Sequence, residues 1–503
     1  MGRAVAASAP PQKQAAGLAA ITACVMAATV MQALDVTIAN VALPYMQGSL
    51  SASLTQINWV LTSYIVAAAI MTPPTGWLTA RFGRKPVFLF AVAGFTIASV
   101  LCGLATSLEQ MVLFRLLQGV FGAPLVPLSQ AVLLDSYPRE RHGYAMALWG
   151  MGVMIGPILG PTLGGWLTDN FSWHWVFLIN LPVGVLTFLG LSAVMPATPP
   201  DPGKRLDWFG FATMSLAIGA LQLMLDRGEQ LDWFSSPEIV IEAALSLLGA
   251  YLFVVHILTA RNPFIEPAIF RDRNLVTGLL FIAVAAGIMV TTLALLVPFA
   301  QSLLGYPALT VGTVMMPRGI GTMVSMMLVG RIIHRVDMRL LLFIGLSLTA
   351  LSLHGMSGFT LNSGMADIIS TGLLQGFGLG MIFIPLSTLS FSTLPAEHRP
   401  QGTALYSLLR NIGSSILVST TVFVLSSNQS LLQADLVQHV TPFSDIVRWL
   451  PETWNPATDT GRAALAAEVT RQTMLIAYND CFRLLMLIAV ASMPAVLLIR
   501  QPR

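Results

Sequence analysis

The chain has 503 residues, of which 55% are hydrophobic and only 10% are charged, and its mean hydropathy is +0.75. Soluble domains carry about 25% charged residues, so this composition excludes a chain that mostly faces water. The net charge of +3 is too small and too scattered for nucleic-acid binding, and the three cysteines lack metal-ligand spacing and argue against a disulfide framework. The sequence therefore predicts a polytopic membrane protein of the all-α class.

Membrane-spanning helices are predicted from apolar runs of about 20 residues that polar or Gly/Pro-rich segments separate. Residues 1–17 form a short polar tail, and the first apolar run lacks a convincing cleavage site and is predicted to be retained. Residues 427–477 form the one long polar loop. The fourteen predicted spans lie roughly at 18–44, 57–80, 86–106, 109–134, 143–168, 174–195, 207–226, 238–259, 275–303, 309–333, 339–359, 365–391, 402–426 and 478–499.

The positive charges orient these spans. With an even number of spans both termini share a side, and most of the 26 lysine and arginine residues fall on that side. Positively charged short loops stay in the cytoplasm, which predicts cytoplasmic N- and C-termini. The loop 427–477 then lies outside, in the periplasm or extracellular space.

The first span contains an isolated carboxyl group in the stretch "LDVTIANVALP". Asp35 lies about 13 Å from the outer end of this helix at 1.5 Å per residue. An ionised carboxylate is costly at that depth, so protonation becomes accessible near neutral pH, as a proton-coupling site requires. The alternative is a structural acid satisfied by Thr37 or Asn40. Gln32 and Asn40 of the same span are candidates for the substrate cavity.

The loop between the second and third spans carries a cluster of positive charge in "GWLTARFGRKPVFL". Gly76 and Gly83 permit a tight turn, and the side chains of Arg81, Arg84 and Lys85 can bond the carbonyl ends of nearby helices. These five residues are predicted to form a cytoplasmic gating loop. An ordinary positively charged cytoplasmic loop has the same appearance.

Arg115 opens the stretch "RLLQGVFG" in the fourth span, about 10 Å from its outer end and at a depth similar to that of Asp35. An arginine keeps its proton, so within the membrane it needs an acceptor or a hydrated cavity. We hypothesise that Arg115, with Gln118 on the same helical face, lines the central cavity and modulates the protonation of Asp35. The alternative is an arginine that extends to the outer surface.

The fifth span, "GMGVMIGPILGPTLGGWL", places glycine at every fourth position. Such glycines drift by only about 40° per step around a helix and form a bare stripe that a neighbouring backbone can approach closely. Two prolines in the span remove backbone hydrogen bonds and bend the helix. The predicted motif comprises Gly152, Gly156, Pro157, Gly160, Pro161, Gly164 and Gly165.

The second half of the chain repeats the first. The stretch "LLQGVFGAPLVPLS" at 116–129 matches "LLQGFGLGMIFIPLS" at 373–387 with one inserted residue, and each copy leads through a proline-containing loop to another span. Parallel repeats of this kind place a transporter's binding site at the midplane between halves. The predicted domains are an N-terminal six-helix bundle at 18–196, a linker with two extra spans at 197–260, and a C-terminal six-helix bundle at 261–503.

Two further arginines lie near the midplane of C-terminal spans. Arg410, followed by Asn411, is a candidate for the substrate cavity. Arg318 is a second candidate, or it instead satisfies carbonyl groups that a local helix break frees beside Pro317. No phosphate-binding loop of the GxxxxGK[ST] type occurs, so the sequence does not predict nucleotide hydrolysis.

The charged loop resembles the loop motif of the major facilitator superfamily, which usually carries an acidic residue where this chain has Ala80. In that family the acid helps to latch the gate between helices, so its absence leaves the latch in question. The fifth span resembles the antiporter motif of proton-coupled exporters. With "LDVTIANVALP", "WVFLINLPVG", "LQLMLDRGEQLDWFSS" and fourteen spans, the chain resembles EmrB/QacA-type drug:proton antiporters, closest to the EmrB branch.

This resemblance implies a major facilitator fold of two pseudo-symmetric six-helix bundles plus two extra helices. It also implies efflux of diverse hydrophobic or amphipathic toxic compounds in exchange for protons by alternating access, with the proton gradient as energy source and no cofactor or metal. In Gram-negative cells such proteins work with a periplasmic membrane-fusion adaptor and an outer-membrane channel. The alternatives are a dedicated exporter of one metabolite, such as a siderophore, antibiotic or fatty acid, and a membrane-embedded enzyme or sensor.

Overall fold

The computed structural model describes residues 11–203, 205–261, 263–439, 454 and 458–499. Within these ranges the chain is built from helices, and no strand occurs in them. The first half contains α1 (Pro11–Ser49), α2 (Leu54–Ile57), α3 (Trp59–Met71), α4 (Thr75–Phe82), α5 (Arg84–Gly103), α6 (Leu108–Gly122), α7 (Leu125–Ser136), α8 (His142–Asn170), α9 (Trp175–Leu178) and α10 (Asn180–Val194).

Two helices follow in the linker, and the second half then repeats the pattern of long spans. The linker helices are α11 (Trp208–Arg227) and α12 (Pro237–Thr259). The second half contains α13 (Arg273–Pro298), α14 (Ala308–Ile332), α15 (Met338–Met356), α16 (Met365–Ser392), α17 (Arg399–His439) and α18 (Asp459–Ser492), with a π-helical turn at Phe299–Leu303 that continues α13.

Every predicted span falls on described helices. Twelve helical segments of the described chain are long and apolar enough to cross a membrane. The second span is divided into α3 and α4 by a break at Thr72–Pro74. The tenth span corresponds to α14, whose hydropathy is lowered by Arg318 and several glycines. The structure is therefore consistent with fourteen spans.

The polar loop predicted at 427–477 is wrong for most of its length. Helix α17 continues to His439 and α18 begins at Asp459, so 427–439 and 459–477 are helical. Hydropathy marks where a helix leaves the membrane, whereas polar residues with ordinary helix propensity let the helix continue into water. The rest of the predicted loop, apart from 454 and 458, lies outside the described residues.

Helix ends are set by local capping chemistry. Asp272 accepts hydrogen bonds from the backbone N–H groups of Asn274 and Leu275 at the start of α13, at 2.9 and 3.0 Å. Gly83 separates α4 from α5 at φ +86°, a backbone conformation that favours glycine. Pro124 lies between α6 and α7. The fourth span is therefore two helices in line.

Asp207 caps the first linker helix from just outside the membrane-spanning segment. Its carboxylate accepts hydrogen bonds from the Gly210 and Phe264 N–H groups at 2.9 and 3.0 Å and lies 2.7 Å from His256 Nε2. Burial alone raises the pKa of Asp207, but the bonds from Gly210, His256 and Phe264 outweigh burial and hold the pKa below its usual range. This cap ties the start of α11 to the end of α12.

The two halves share one packing plan. In the first half α1 packs along α8, and in the second half α13 packs along α17. Across the boundary between halves α8 packs on α14. The linker helix α11 contacts both α3 and α17, with Gln222 donating to Ser415 at 3.0 Å and Ser419 donating to the Leu225 carbonyl at 2.7 Å. The linker helix α11 thus bridges the two halves.

Candidate functional site

The two predicted intramembrane charges form a direct ion pair. Arg115 Nη1 lies 2.7 Å from Asp35 Oδ2, and the exposed fractions of the two side chains are 1% and 0%. Arg115 therefore does not extend to the outer surface, and the acceptor that its charge requires is Asp35. A buried pair like this is expensive to disrupt, because loss of either partner leaves an uncompensated charge in the protein interior.

Two amide side chains complete the bonding of the Asp35 carboxylate. Gln118 Nε2 and Asn180 Nδ2 both donate to Oδ1, at 2.8 and 2.9 Å. Asn180 also donates to the Ser99 hydroxyl at 2.9 Å. The carboxylate therefore accepts three hydrogen bonds from side chains on two helices, α6 and α10.

Asn180 belongs to "WVFLINLPVG", a stretch that contributed only to the family resemblance. It is the one amide of that apolar stretch, and it was not predicted as a site residue. The Arg115 side chain is held further by the Val60 carbonyl, which accepts from Nε at 3.1 Å, and by the Tyr64 ring, whose centroid is 4.4 Å from the guanidinium carbon. Gln32 Nε2 donates to the Tyr64 hydroxyl at 3.1 Å, so it lies at the edge of this cluster.

The alternative that Thr37 or Asn40 satisfies the Asp35 carboxylate is wrong. Thr37 donates to backbone carbonyls, including that of Gly156 at 3.0 Å, and Asn40 is exposed on α1. Neither side chain contacts the Asp35 carboxylate. Five residues along a helix correspond to about 140° of rotation, so Asn40 points away from Asp35.

The second half contains a neutral counterpart of this cluster. Gln375 repeats Gln118, and its Nε2 donates to the Thr292 hydroxyl at 3.0 Å. The same offset of 257 residues separates Gln118 from Gln375 and Asp35 from Thr292. Threonine thus occupies the acid's place, and only the first half has a titratable group at this position.

Arg318 and Arg410 differ from Arg115 in having no carboxylate partner within the described ranges. Arg318 Nη2 donates to the Met289 carbonyl at 2.6 Å, and its side chain is buried. This agrees with the prediction that Arg318 satisfies a backbone carbonyl, although the carbonyl belongs to α13 and not to the break beside Pro317. The Arg410 guanidinium lies 5.8 Å from the centroid of the Trp149 ring.

Arg410 lines a cavity of about 60 Å³ between the halves. Helix α8 forms one wall and helices from the second half form the others. Its described lining consists of Trp149, Gly150, Val153, Met154, Ile282, Met289, Met326, Phe383, Ile384, Ser387, Tyr406 and Arg410. Asn411 is half-buried and does not line it. The cavity is apolar apart from its hydroxyl groups and one guanidinium.

A second cavity, of about 240 Å³, lies between α3 and the end of α11 and is polar. Thr62 donates to Asp226 there, while Arg227 pairs with Glu238 at 2.6 Å. Asp226 and Arg227 lie in "LQLMLDRGEQLDWFSS", which contributed only to the family resemblance, because a carboxylate one residue before an arginine does not by itself predict a site. Gln56, Asn58 and Gln230 add amide groups to the lining.

The positively charged loop meets an acid from another helix. Asp135, at the end of α7, pairs with Arg84 and also with Arg399 of the second half, whose Nη1 lies 2.6 Å from Oδ1. A carboxylate therefore joins the two halves even though Ala80 stands where the family usually has an acid. Asp135 and Arg399 were not predicted as site residues, since no local sequence pattern links them.

The remaining loop residues have separate roles. Gly83 makes the predicted turn, but Gly76 lies inside α4, where an added Cβ would come within 2.6 Å of Gln401 Cγ from the second half. Lys85 donates to the Ser192 carbonyl at 2.7 Å near the end of α10, as predicted for a helix C-terminus. The Nη1 atom of Arg81 is buried and has no hydrogen-bond partner in the described part of the chain.

The glycine stripe of α8 faces α1. An added Cβ would lie 2.3 Å from the Ala33 carbonyl oxygen at Gly156, 2.1 Å from Thr37 Oγ1 at Gly160 and 2.1 Å from Met26 Cε at Gly152. At Gly164 the nearest atoms of Ile38 are 3.3 Å away. Gly165 has nothing within 4 Å and is not part of the contact. Helix α8 remains continuous through Pro157 and Pro161.

Comparison with known proteins agrees with this architecture. The family model described as Major Facilitator Superfamily matches residues 25–418. The chain therefore belongs to the major facilitator superfamily. A solved structure of the proton:xylose symporter XylE has a TM-score of 0.61 at 14% identity, with 96% of this chain and 97% of that chain covered, and this likeness concerns the fold.

Two curated relatives indicate which branch of the superfamily the chain resembles. The chain is 36% identical over 475 residues to the Multidrug export protein EmrB of Escherichia coli (strain K12), covering 93% of both chains. It is 35% identical over 503 residues to the Fatty acid resistance protein FarB of Neisseria gonorrhoeae, covering 98% of both chains. The predicted resemblance to the EmrB branch is confirmed, as is the predicted major facilitator fold.

Proposed function

We propose that this chain is a proton-coupled efflux antiporter that exports diverse hydrophobic or amphipathic toxic compounds across the bacterial inner membrane by alternating access. The observation that carries this proposal is the buried cluster around Asp35, whose carboxylate accepts from Arg115, Gln118 and Asn180. The similarity to proteins named for multidrug export supports the direction and breadth of transport.

Protonation of Asp35 is the proposed coupling step. The ionised carboxylate holds α1 against α6 and α10, and a proton on it removes the charge that attracts Arg115. One charge crossing 100 mV contributes about 2.3 kcal/mol, and each unit of pH gradient adds about 1.4 kcal/mol. Two protons therefore suffice for accumulation ratios of several hundredfold at ordinary gradients.

The test is efflux from proteoliposomes driven by an imposed pH gradient. Asp35→Asn should abolish gradient-driven transport, whereas Asp480→Asn, which alters an acid 3.9 Å from Arg483 in α18, should retain it. Because Asp35→Asn leaves Arg115 buried without its counter-ion, the paired variant Asp35→Asn/Arg115→Gln keeps the interior neutral and should also be inactive. Undiminished proton-driven transport by the paired variant would refute the coupling role.

A second candidate function is dedicated export of a fatty acid, supported by the similarity to FarB over 98% of the chain. Expression in a drug-sensitive strain separates the two: resistance to several unrelated compounds favours broad efflux, and resistance to fatty acids alone favours the dedicated exporter. The residue ranges 18–196, 197–260 and 261–503, the cytoplasmic termini and a periplasmic adaptor with an outer-membrane channel remain parts of this proposal.

A further inference from the structure

The polar cavity beside the linker helix is separate from the cavity between the halves, and the two share no described lining residue. It lies where α11 joins both halves. Thr62 of α3 donates to Asp226 at the end of α11, and Ser419 of α17 donates to the neighbouring Leu225 carbonyl at 2.7 Å. The proposed coupling step at Asp35 uses none of the residues that line this cavity.

The segment around this cavity carries strong negative charge. Residues 226–242 contain five acidic residues and one arginine, a formal net charge of −4, in a chain whose overall net charge is +3. The arginine is already neutralised, because Arg227 binds Glu238 through Nη2 at 2.6 Å and Glu242 through Nη1 at 3.2 Å. The cavity therefore attracts a cation and repels an anion.

Asp226 is the acid of this segment whose side chain lines the cavity. Among described residues it accepts a hydrogen bond from the Thr62 hydroxyl and forms no ion pair. The side-chain amides of Asn58 and Gln230 line the same cavity and make no hydrogen bond in the described part of the chain. One carboxylate and two amide oxygens are thus available to a ligand that donates hydrogen bonds.

This set of acceptors matches a primary ammonium group, which offers three hydrogen-bond donors and no acceptor. A quaternary ammonium has no donors and is bound by aromatic faces. Trp59 is the one aromatic residue of the described lining, and the guanidinium carbon of Arg227 already lies 5.4 Å from its ring centroid. Calcium needs six to eight oxygen ligands, several of them carboxylates, and the described residues contain no group of three His, Cys, Asp or Glu that could hold a metal ion.

From these contacts we propose that the cavity is a second binding site, selective for a primary ammonium group. The ammonium binds the Asp226 carboxylate, and the amide oxygens of Asn58 and Gln230 accept its remaining hydrogen bonds. Two sources carry this group: a soluble amine, and the head group of phosphatidylethanolamine in the bilayer. The inference goes beyond the proposed efflux function and does not depend on it.

The test measures how fast a neutral methanethiosulfonate reacts with a thiol placed in the cavity wall. Leu231→Cys in a Cys24→Ser background provides this thiol, since Cys102 and Cys481 are buried. The full chain is labelled in phosphatidylcholine nanodiscs, in a buffer without primary amines, with ethanolamine, choline or ethylene glycol added. These probes share a two-carbon skeleton and carry a primary ammonium, a quaternary ammonium or a second hydroxyl group.

Ethanolamine should protect the thiol best. Charge-assisted hydrogen bonds predict that it halves the labelling rate at a concentration at least about tenfold below that of choline, and that ethylene glycol gives no protection. The cavity volume of about 240 Å³ holds any of the three probes, so the comparison reports on the charged group and not on size.

Variants separate a contact with Asp226 from a general effect of negative charge. Asp226→Asn should abolish protection by ethanolamine, and Asp226→Glu should retain most of it. Asn58→Ala should weaken protection by a smaller factor. The matched control is Asp232→Asn, the same chemical change in the same acidic segment but outside the described cavity lining, at φ +54°, where asparagine is well tolerated. This variant should keep full protection.

The lipid of the nanodisc distinguishes the two sources. If the bilayer supplies the ammonium, phosphatidylethanolamine should slow labelling relative to phosphatidylcholine without any added amine, and Asp226→Asn should remove this difference. Equal labelling rates in the two lipids, together with protection by ethanolamine, assign the site to a soluble amine.

Three results would overturn the ammonium assignment: protection by choline or ethylene glycol at the same concentration as ethanolamine, protection by calcium at a lower concentration than ethanolamine, or full protection in Asp226→Asn. None of them bears on the proposed efflux function, because labelling is measured without a pH gradient and without transport.

Discussion

The contact between α1 and α8 predicts a graded response to a single added methyl group. At Gly156 a Cβ would lie 2.3 Å from the Ala33 carbonyl oxygen and 2.5 Å from its carbonyl carbon, so the two backbones must separate by about 1 Å to restore ordinary packing. Overpacking of this kind costs about 1–3 kcal/mol. At Gly152 the obstacle is the flexible tip of Met26, and at Gly165 there is no obstacle.

Gly156→Ala, Gly152→Ala and Gly165→Ala therefore form a matched series inside one helix. Each change gains the same helix propensity, about 1 kcal/mol, so differences between the variants isolate the packing cost. Thermal inactivation of the purified protein should rank Gly165→Ala most stable, Gly152→Ala slightly below it and Gly156→Ala lowest. Proton-driven transport should follow the same order, and Met26→Ala should restore Gly152→Ala to the level of Gly165→Ala.

Equal effects of Gly156→Ala and Gly165→Ala, in either assay, would refute the reasoning. They would mean that glycine at these positions reflects the composition of membrane helices and not a close helix contact. Loss of expression in Gly156→Ala alone would agree with the predicted order, because an overpacked helix pair also folds less readily.

Three further predictions follow from the contacts described above. Asn180→Leu removes a hydrogen-bond donor to the buried Asp35 carboxylate, so the rate of gradient-driven transport should fall in proteoliposomes. Arg399→Gln and Asp135→Asn should each break the ion pair between the halves, so cysteines introduced at the same end of the bundle should react faster with a thiol reagent. The double variant should add little beyond either single variant, because both single changes break the same pair. Asp207→Asn should lower stability by about 1 kcal/mol at neutral pH, and since the pKa of Asp207 is held below its usual range, the gap to wild type should close as the pH falls below about 4 in thermal melts.

The fold could be predicted from the sequence because membrane helices are recognisable by their length and hydropathy. Depth along a helix was also enough to single out Asp35 and Arg115, since charged side chains within a membrane span are energetically costly and therefore rare. Helical geometry alone shows that Asn40 cannot be a partner of Asp35, because the two lie about 140° apart around the helix. It also shows that Gly165 does not belong to the glycine stripe, because it lies about 100° from the stripe position at Gly164.

Other parts of the site depended on tertiary contacts that no local pattern contains. Asn180 is an uncharged amide in an apolar stretch, and its importance lies in reaching a carboxylate on a helix 145 residues away in sequence. Asp135 and Arg399 are 264 residues apart, and each resembles an ordinary surface charge when read alone. Hydropathy likewise predicted the apolar segments of α17 and α18 but not the helical extensions beyond them.

The bare stripe on α8 has a mechanical consequence. Where Gly156 and Gly160 meet α1, little but backbone and short side chains separates the helices, so no long rotamers can absorb a displacement between them. Helix α1 carries Asp35, and α8 lines the cavity between the halves with Trp149 and Met154. A tilt of α1 is therefore transmitted directly to the cavity wall, so under the proposed mechanism protonation of Asp35 and binding of substrate would move the same rigid pair of helices.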